Sequence, residues 1–397
     1  MKRYAKIILT CILVLIAVVS VIQGARNALA YPMGSFDFQY DGAKLFSLRI
    51  NPYDESLNSS GIADKLGLTE FYGDVEANQF PSLLILLVPF TLVRPYVANI
   101  VWAVLNVILT VVFLVLMKKL FFSKIDNWMW LCLSCIMLAG LGWRNNIGNG
   151  QHTIFAFAFF IIAVWLSEKE HPILAGLALA LSLFKYTLII PLAVYLIYKK
   201  KYKEIGVSAA FHIVLTCVGA WWIGDSLINV IIKPLKISSA LSSSGYIDFG
   251  SVLSLPSAVS MLLALVICIG ILILAFMRTE TEDHALVLYT IISYVSLIVI
   301  YHRAYDFFIL IVPIGILYML YKRDNKWSIP LGTSALIFLY SNYAEKVISV
   351  LSSRISEGIA DALTKGFAFV VYAFIVYLVV LYVNQYVSMK RLSGGRG

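Results

Sequence analysis

NGQHTIFAFAFFIIAVWLSEKEHPILAGLALALSLFKYTLIIPLAVYLIYKKKYK, residues 149–203, decides what kind of protein this is. It holds an apolar run at 152–167, a charged turn (Glu168, Lys169, Glu170, His171), and a second apolar run at 172–198 that ends in Lys199, Lys200, Lys201 and Lys203. Full crossings of a bilayer need roughly 17–25 predominantly apolar residues. Basic clusters at the ends of such runs set the orientation of a membrane protein. Lys185 stands alone inside the second run. Unpaired at a helix centre in lipid, a lysine costs ~2.5–3.5 kcal/mol. It therefore calls for a polar cavity or a helix break, and Pro191 helps make a break.

The rest of the 397-residue chain repeats the pattern. It is 60% hydrophobic and 13% charged, with a mean hydropathy of +0.86. Soluble domains are nearer ~45–50% apolar and ~25% charged, so much of this surface must face lipid. The net charge of +9 sits in short clusters at the ends of apolar runs, which assigns it to orientation and not to nucleic acid. Cys11, Cys132, Cys135, Cys217 and Cys268 all lie inside apolar runs and read as small buried residues, not as a disulfide framework or a metal site.

The expected fold class is all-α, a polytopic transmembrane helical bundle with about ten full crossings by the length rule. They fall near 7–24, 97–117, 127–143, 152–167, 205–223, 257–277, 284–301, 307–322, 327–342 and 366–388. Two further apolar pieces, 80–93 and 172–198, read as re-entrant. With the N-terminus inside, the clusters at Lys2, Arg3 and Lys6, at 118–124, 199–203 and 322–326, and at Lys390 and Arg391 all come to the inner face. Both termini are then cytoplasmic. External segments run over about 25–79, 224–256 and 343–365. In the last, Val347, Leu351, Ile355 and Ile359 suit an amphipathic helix on the membrane face. Residues 1–390 form one integral membrane domain, and 391–397 a disordered cytoplasmic tail. The basic start and apolar core also fit a secretory signal cleaved near Ala28-Leu29-Ala30; retention as an anchor is the reading taken, because the next segment needs holding at the membrane.

Under this topology the distinctive polar residues gather at the outer ends of helices. Asp37 and Asp41 lie four apart in SFDFQYDGAKLF (35–46), facing the same way if helical. A carboxylate there can act as a general base toward a hydroxyl; the plain alternative is a pair of solvated loop acids. WRNNIGNGQHT (143–153) supplies glycines for close backbone approach, with Arg144, Asn149 and Gln151 as donors to phosphate or sugar oxygens. The alternative is a polar tight turn. YHRAYD (301–306) offers His302, Arg303 and Asp306. The arginine can clamp a phosphate and the histidine can protonate or orient it, unless His302 and Asp306 simply satisfy each other. Lys185 reaches a phosphate or caps carbonyls. No third or fourth ligand has the spacing of a zinc site.

Taken in order, several stretches resemble glycosyltransferase family 87, the polyprenyl-phosphate-sugar-dependent branch of the GT-C membrane fold that includes bacterial α-mannosyltransferases. They are DFQYDGAKLFSLRINPYDESL (37–57), FPSLLILLVPFTLV (80–93) with Trp102 beyond, the run from Asn149 to Ile197, and YHRAYDFFILIVP (301–313). Ser82 and Thr153 depart from the family's usual Pro and Asn, and a tyrosine is commoner near Asp41. The resemblance implies an inverting transfer of a sugar, mannose first, with arabinofuranose or glucose next, from polyprenyl phosphate to a glycan or glycolipid hydroxyl on the outer face of the cytoplasmic membrane. It implies Asp37 as catalytic base, with Asp41 in support. Arg144, Asn149, Gln151, Lys185, His302, Arg303 and Asp306 would face the donor. The partners are that lipid-linked sugar, the acceptor and the bilayer, with no nucleic acid. No cofactor is called for, and a divalent metal is left open. The alternative from another class is a carrier or flippase for a sugar or lipid-linked sugar, with Lys185 as its best support. A noncatalytic subunit of an envelope-polysaccharide complex is the third reading.

Overall fold

Prolines and capping residues draw many of the boundaries. Helices begin on Pro81, Pro95 and Pro172, where the missing N–H would have had no partner. Asp126 caps a helix by accepting the Met129 N–H at 3.0 Å. Gly224 ends another in the left-handed region, at φ 69°. A computed structural model describes residues 3–30, 39–68, 76–240, 246–279, 281–344 and 357–394. Among these there is no strand. The helices are α1 (Arg3–Ala30), α2 (Tyr40–Ser47), α3 (Ile62–Leu66), α4 (Pro81–Leu87), α5 (Pro95–Leu120), α6 (Asn127–Ala139), α7 (Leu141–Gly148), α8 (Thr153–Glu168), α9 (Pro172–Ser182), α10 (Tyr186–Tyr198), α11 (Tyr202–Ile223), α12 (Leu227–Ala240), α13 (Phe249–Val252), α14 (Ser257–Phe276), α15 (Glu282–Ile298), α16 (Ile311–Arg323), α17 (Ser328–Leu339) and α18 (Glu357–Gly394).

By length and composition alone, seven described helical stretches could cross a membrane: Tyr4–Leu29, Pro95–Leu120, Pro172–Tyr198 (which turns back at its middle), Tyr202–Ile223, Ser257–Phe276, Ala304–Arg323 and Asp361–Arg391. Counting the pair Leu141–Gly148 and Thr153–Glu168 as one span gives eight, but that pair is bent by 107° and forms a corner. The expected count of about ten exceeds what length and composition support. Six of the ten expected spans are among these seven, the other being 172–198, which was expected as re-entrant; the four that fall short are α6, α8, α15 and α17, which have 13, 16, 17 and 12 residues. At least α15 needs no full apolar length, because it is buried from His284 to Ile298. Neighbouring helices, not lipid, surround it.

The helix ends sort into two groups. At one end Lys6 lies 4.7 Å from the Trp128 ring, Lys124 pairs with Glu282 at 3.7 Å, Arg323 pairs with Asp283, and the Arg278 guanidinium donates to the Ile197 carbonyl at 2.9 Å. Every basic cluster singled out in the sequence that the structure describes meets at this end, with Thr281 donating to Met389 of α18 at 3.9 Å. At the other end Asn99 donates to the Ala28 carbonyl at 2.7 Å, Trp102 to the Gly150 carbonyl at 3.0 Å, and the Tyr246 N–H to the His302 carbonyl at 2.9 Å.

Residues 172–198 turn back on themselves. A straight 27-residue helix would be roughly 40 Å long. Yet Pro172 follows closely on Ser167, and the chain returns there: Lys201 donates to the Ser167 carbonyl at 3.0 Å and Glu204 accepts from the Ser167 hydroxyl at 2.6 Å. The apex is the 3₁₀ turn Leu183–Lys185, whose Lys185 meets Thr153 at the far end of α8. Tight packing holds the hairpin, since a Cβ on Gly176 would lie 2.5 Å from the Val207 side chain of α11.

Two boundaries differ from expectation. Residues 357–365 are not a separate surface helix; they begin the 38-residue α18, with Ile359 exposed. Val347, Leu351 and Ile355 lie outside the described residues. Arg391–Gly394 close α18 instead of starting a disordered tail, because nothing breaks the helix before the Gly394-Gly395 pair. In the segment that follows α2, Asn51 donates to Asp225 at 2.8 Å. Partial burial pushes the Asp225 carboxyl up, but hydrogen bonds from Asn229, Asn51, the Ser226 N–H and Lys233 outweigh it and hold the group at about 2. This clasp ties 39–59 to the α11–α12 corner.

Ser123 and Ser226 are exposed at opposite ends of the bundle. On a background free of native cysteines, Ser123→Cys and Ser226→Cys label from opposite faces of sealed vesicles with an impermeant maleimide. Labelling of both from one face would overturn this sorting of helix ends.

Candidate active site

The corner between α7 and α8 is built by close approach. Gly142 faces α7's neighbours so tightly that a Cβ there would sit 2.6 Å from Asn342 Oδ1 and 3.1 Å from the Tyr305 carbonyl. One turn on, Asn146 donates from Nδ2 to the same Tyr305 carbonyl at 2.8 Å. Gly150 takes φ 65°, which suits glycine, and presents its carbonyl to Trp102. These contacts lock the 142–153 corner onto the 301–306 turn.

Inside the junction lies one buried carboxylate. Asp306 has no exposed surface. Its Oδ1 accepts from Lys185 Nζ at 2.6 Å and from the Thr153 hydroxyl. Its Oδ2 meets His302 Nδ1 at 2.8 Å and accepts from the Arg303 N–H at 3.4 Å. Lys185 also donates to Thr153 Oγ1 at 2.9 Å and lies 5.1 Å from the Tyr305 ring centroid. An ion pair this deep persists only when further hydrogen bonds satisfy both partners, and here Thr153 and His302 do so. His302 is itself buried, and its Nε2 has no hydrogen-bond partner.

The sequence-expected residues therefore divide. Lys185, His302 and Asp306 form one network: His302 and Lys185 are bonded to the same carboxylate, on different oxygens. Arg303 is half-buried beside it, its Nε donating to the Tyr301 hydroxyl at 2.7 Å. Gln151 is buried and Asn149 caps α7 nearby. Arg144 has its Cγ against Gly24 of α1, and its buried Nε has no hydrogen-bond partner. Asp41 is on a different element, buried in the first turn of α2. That helix starts at Gln39 in the left-handed region, φ 64°, and Gln39 Oε1 accepts the Asn78 N–H at 3.2 Å. Asp37 lies outside the described residues. Among those described, no three His, Cys, Asp or Glu side chains are grouped so as to hold a metal ion.

Sequence reading gave no site role to Thr153, Asn146 or Asp248. Thr153 and Asn146 join residues more than a hundred positions away, which no local spacing reveals. Asp248 is buried and caps α13, accepting the Ser251 N–H at 3.0 Å and its hydroxyl at 2.8 Å. Burial pushes its carboxyl up, against the pull of Ser251 and His302. The Asp-Phe-Gly-Ser stretch at 248–251 was a legible capping signal; its nearness to His302 was not.

The sequence profile of glycosyltransferase family 87 matches residues 81–300, more than half of the chain. The chain belongs to glycosyltransferase family 87. Searches of curated proteins and of solved structures gave no match. The family match takes in the 142–153 corner and Lys185, and stops just short of the 301–306 turn. As a member of this family the protein is a membrane glycosyltransferase, and its apolar helices mark it as multi-pass.

If Asp306 holds this junction together, removing one charge leaves the other buried and bare, typically at ~3–5 kcal/mol. Lys185→Met and Asp306→Asn each lower the melting temperature in detergent, and the double variant melts above Lys185→Met alone. Additive losses in the double variant would mean that the pair does not carry the contact.

Proposed function

We propose that this glycosyltransferase moves a sugar, mannose first, from polyprenyl phosphate to a hydroxyl of a glycan or glycolipid on the outer face of the cytoplasmic membrane. The observation that carries this reading is the sorting of helix ends. The 142–153 corner, Lys185 and 301–306 converge at the end opposite the basic clusters, and basic clusters favour the cytoplasmic side. The same sorting supports ten crossings in a GT-C-like bundle: α1, α5, α6 with α7, α8, α11, α14, α15, α16, α17 and α18 run alternately between the two ends, with α9–α10 as the re-entrant pair. Both termini are then cytoplasmic.

In the proposed reaction the acceptor oxygen attacks the anomeric carbon as Asp37 takes its proton. The bond from that carbon to the phosphate oxygen breaks, polyprenyl phosphate leaves on the opposite face, and configuration inverts. Donors at the departing phosphate stabilise it. Lys185 is committed to Asp306, so Arg303 and His302 Nε2 are the better groups to meet the phosphate, with Lys185 and Thr153 holding them through Asp306. The lysine that lent weight to a carrier is thus balanced within the bundle, which favours the enzyme.

Asp37→Asn keeps size and removes basicity. General-base catalysis is typically worth ~10²–10⁴-fold. The variant therefore inserts and binds donor but turns over at least ~100-fold more slowly on that scale, measured with a polyprenyl-phosphate sugar and purified protein. Asp41→Asn loses less. Normal turnover in both variants would sink the carboxylate mechanism, and a dead Asp41→Asn beside a normal Asp37→Asn would exchange their roles.

Arg303→Ala separates the two substrates. It raises KM for the lipid-phosphate donor and lowers kcat, as expected for a contact that strengthens in the transition state, while KM for the acceptor holds. An acceptor-only defect would move Arg303 to the other subsite.

A further inference from the structure

A cavity of 510 Å³ opens at the basic end of the bundle, far from the candidate active site, between the ends of α5, α8, α10 and α15. Phe121, Tyr195 and Leu286 give it an apolar, aromatic floor, and all three are buried. Lys119, Lys169 and Lys199 line it from three different helix ends, together with Glu168 and Glu282. An adjoining cavity of 450 Å³ shares Lys199 and Glu282 and adds Lys200 and Arg278. Orientation in a membrane requires only that lysines lie on this side. It does not require three of them to converge on one cavity. Other lysines of the same clusters do something else: Lys118 donates to the Phe122 carbonyl at 3.0 Å and Lys201 to the Ser167 carbonyl at 3.0 Å. The lysines outnumber the carboxylates, and Glu282 shares its charge with Lys124 at 3.7 Å. The site therefore favours an anion.

The floor says which kind. Phe159, Ile162 and Trp165 are half-buried at a spacing of three along α8 and run from the cavity toward the middle of the bundle. A free anion has no use for such a stripe, whereas an acyl chain does. Basic pockets between transmembrane helices at the cytoplasmic side suit lipid head groups. We propose that this cavity binds the phosphodiester head group of a membrane phospholipid, its phosphate among Lys119, Lys169 and Lys199 and an acyl chain along the α8 stripe. The lipid would close the gap where the returning arm of the hairpin, α10, meets α5, α8 and α15.

The test uses the full chain in mild detergent, with phosphatidylglycerol titrated and bound lipid counted by native mass spectrometry. The wild type holds one lipid tightly. Lys119→Gln with Lys199→Gln weakens binding at least tenfold at an unchanged melting temperature. Lys322→Gln with Lys326→Gln, at the same end but outside the cavity, leaves it unchanged. Diacylglycerol with the same chains binds the wild type no better than the cavity variant. Undiminished binding in the cavity variant overturns the proposal, as does an equal loss in the control pair, which would mean diffuse charge. Competition by inorganic phosphate as strong as by phosphatidylglycerol assigns the cavity to a free anion and also overturns it. Glycosyl transfer is not the readout, so either outcome stands apart from the proposed function.

Discussion

A single buried carboxylate organises this protein's candidate site. Asp306 binds the apex of one hairpin through Lys185, the start of α8 through Thr153 and its own turn through His302. Each of these groups would be costly to bury alone. Together they form a junction centred on that carboxylate, with Lys185 also bonded directly to Thr153. The helices around it are held by ordinary apolar packing, and the polar junction decides how they meet.

This arrangement also explains why α9 and α10 can turn back inside the bundle. A 3₁₀ apex facing lipid would leave backbone groups and an ammonium unsatisfied. Here Leu183–Lys185 is received by protein, and the lysine that looked anomalous in the sequence is what the apex is anchored by. The basic run at 199–203 is the other half of the device, since it keeps both arms at the same end.

Much of the fold was legible in the sequence for one reason: apolar length and basic flanks are local signals. The hairpin at 172–198 could be argued from Lys199–Lys203 alone, because a single crossing would have carried that cluster to the wrong side. Helix ends set by tertiary contact were not legible. The α18 helix starts at Glu357 instead of near 366, and α15 is enclosed by neighbours that hydropathy does not know about. The site divides the same way. Glycines, Lys185 and the His302–Asp306 spacing stood out, but their mutual contact depended on pairings 32 to 159 residues apart. Nothing near Arg144 in the chain told that it leans on Gly24 of α1.

The separation of Lys185 from Asp306, 121 residues along the chain, has a consequence for how the protein is made. At ~5–20 residues per second, the ribosome delivers the lysine roughly 6–25 s before its counter-charge. Through that interval the nascent hairpin carries a cation in the membrane with no carboxylate to meet it, and its apex must rest on water, lipid phosphate or the insertion machinery. A truncated chain ending anywhere between 199 and 305 stays in that condition permanently. Reporter fusions made by such truncation would read the resting place of an unpaired hairpin, not the topology of the finished protein.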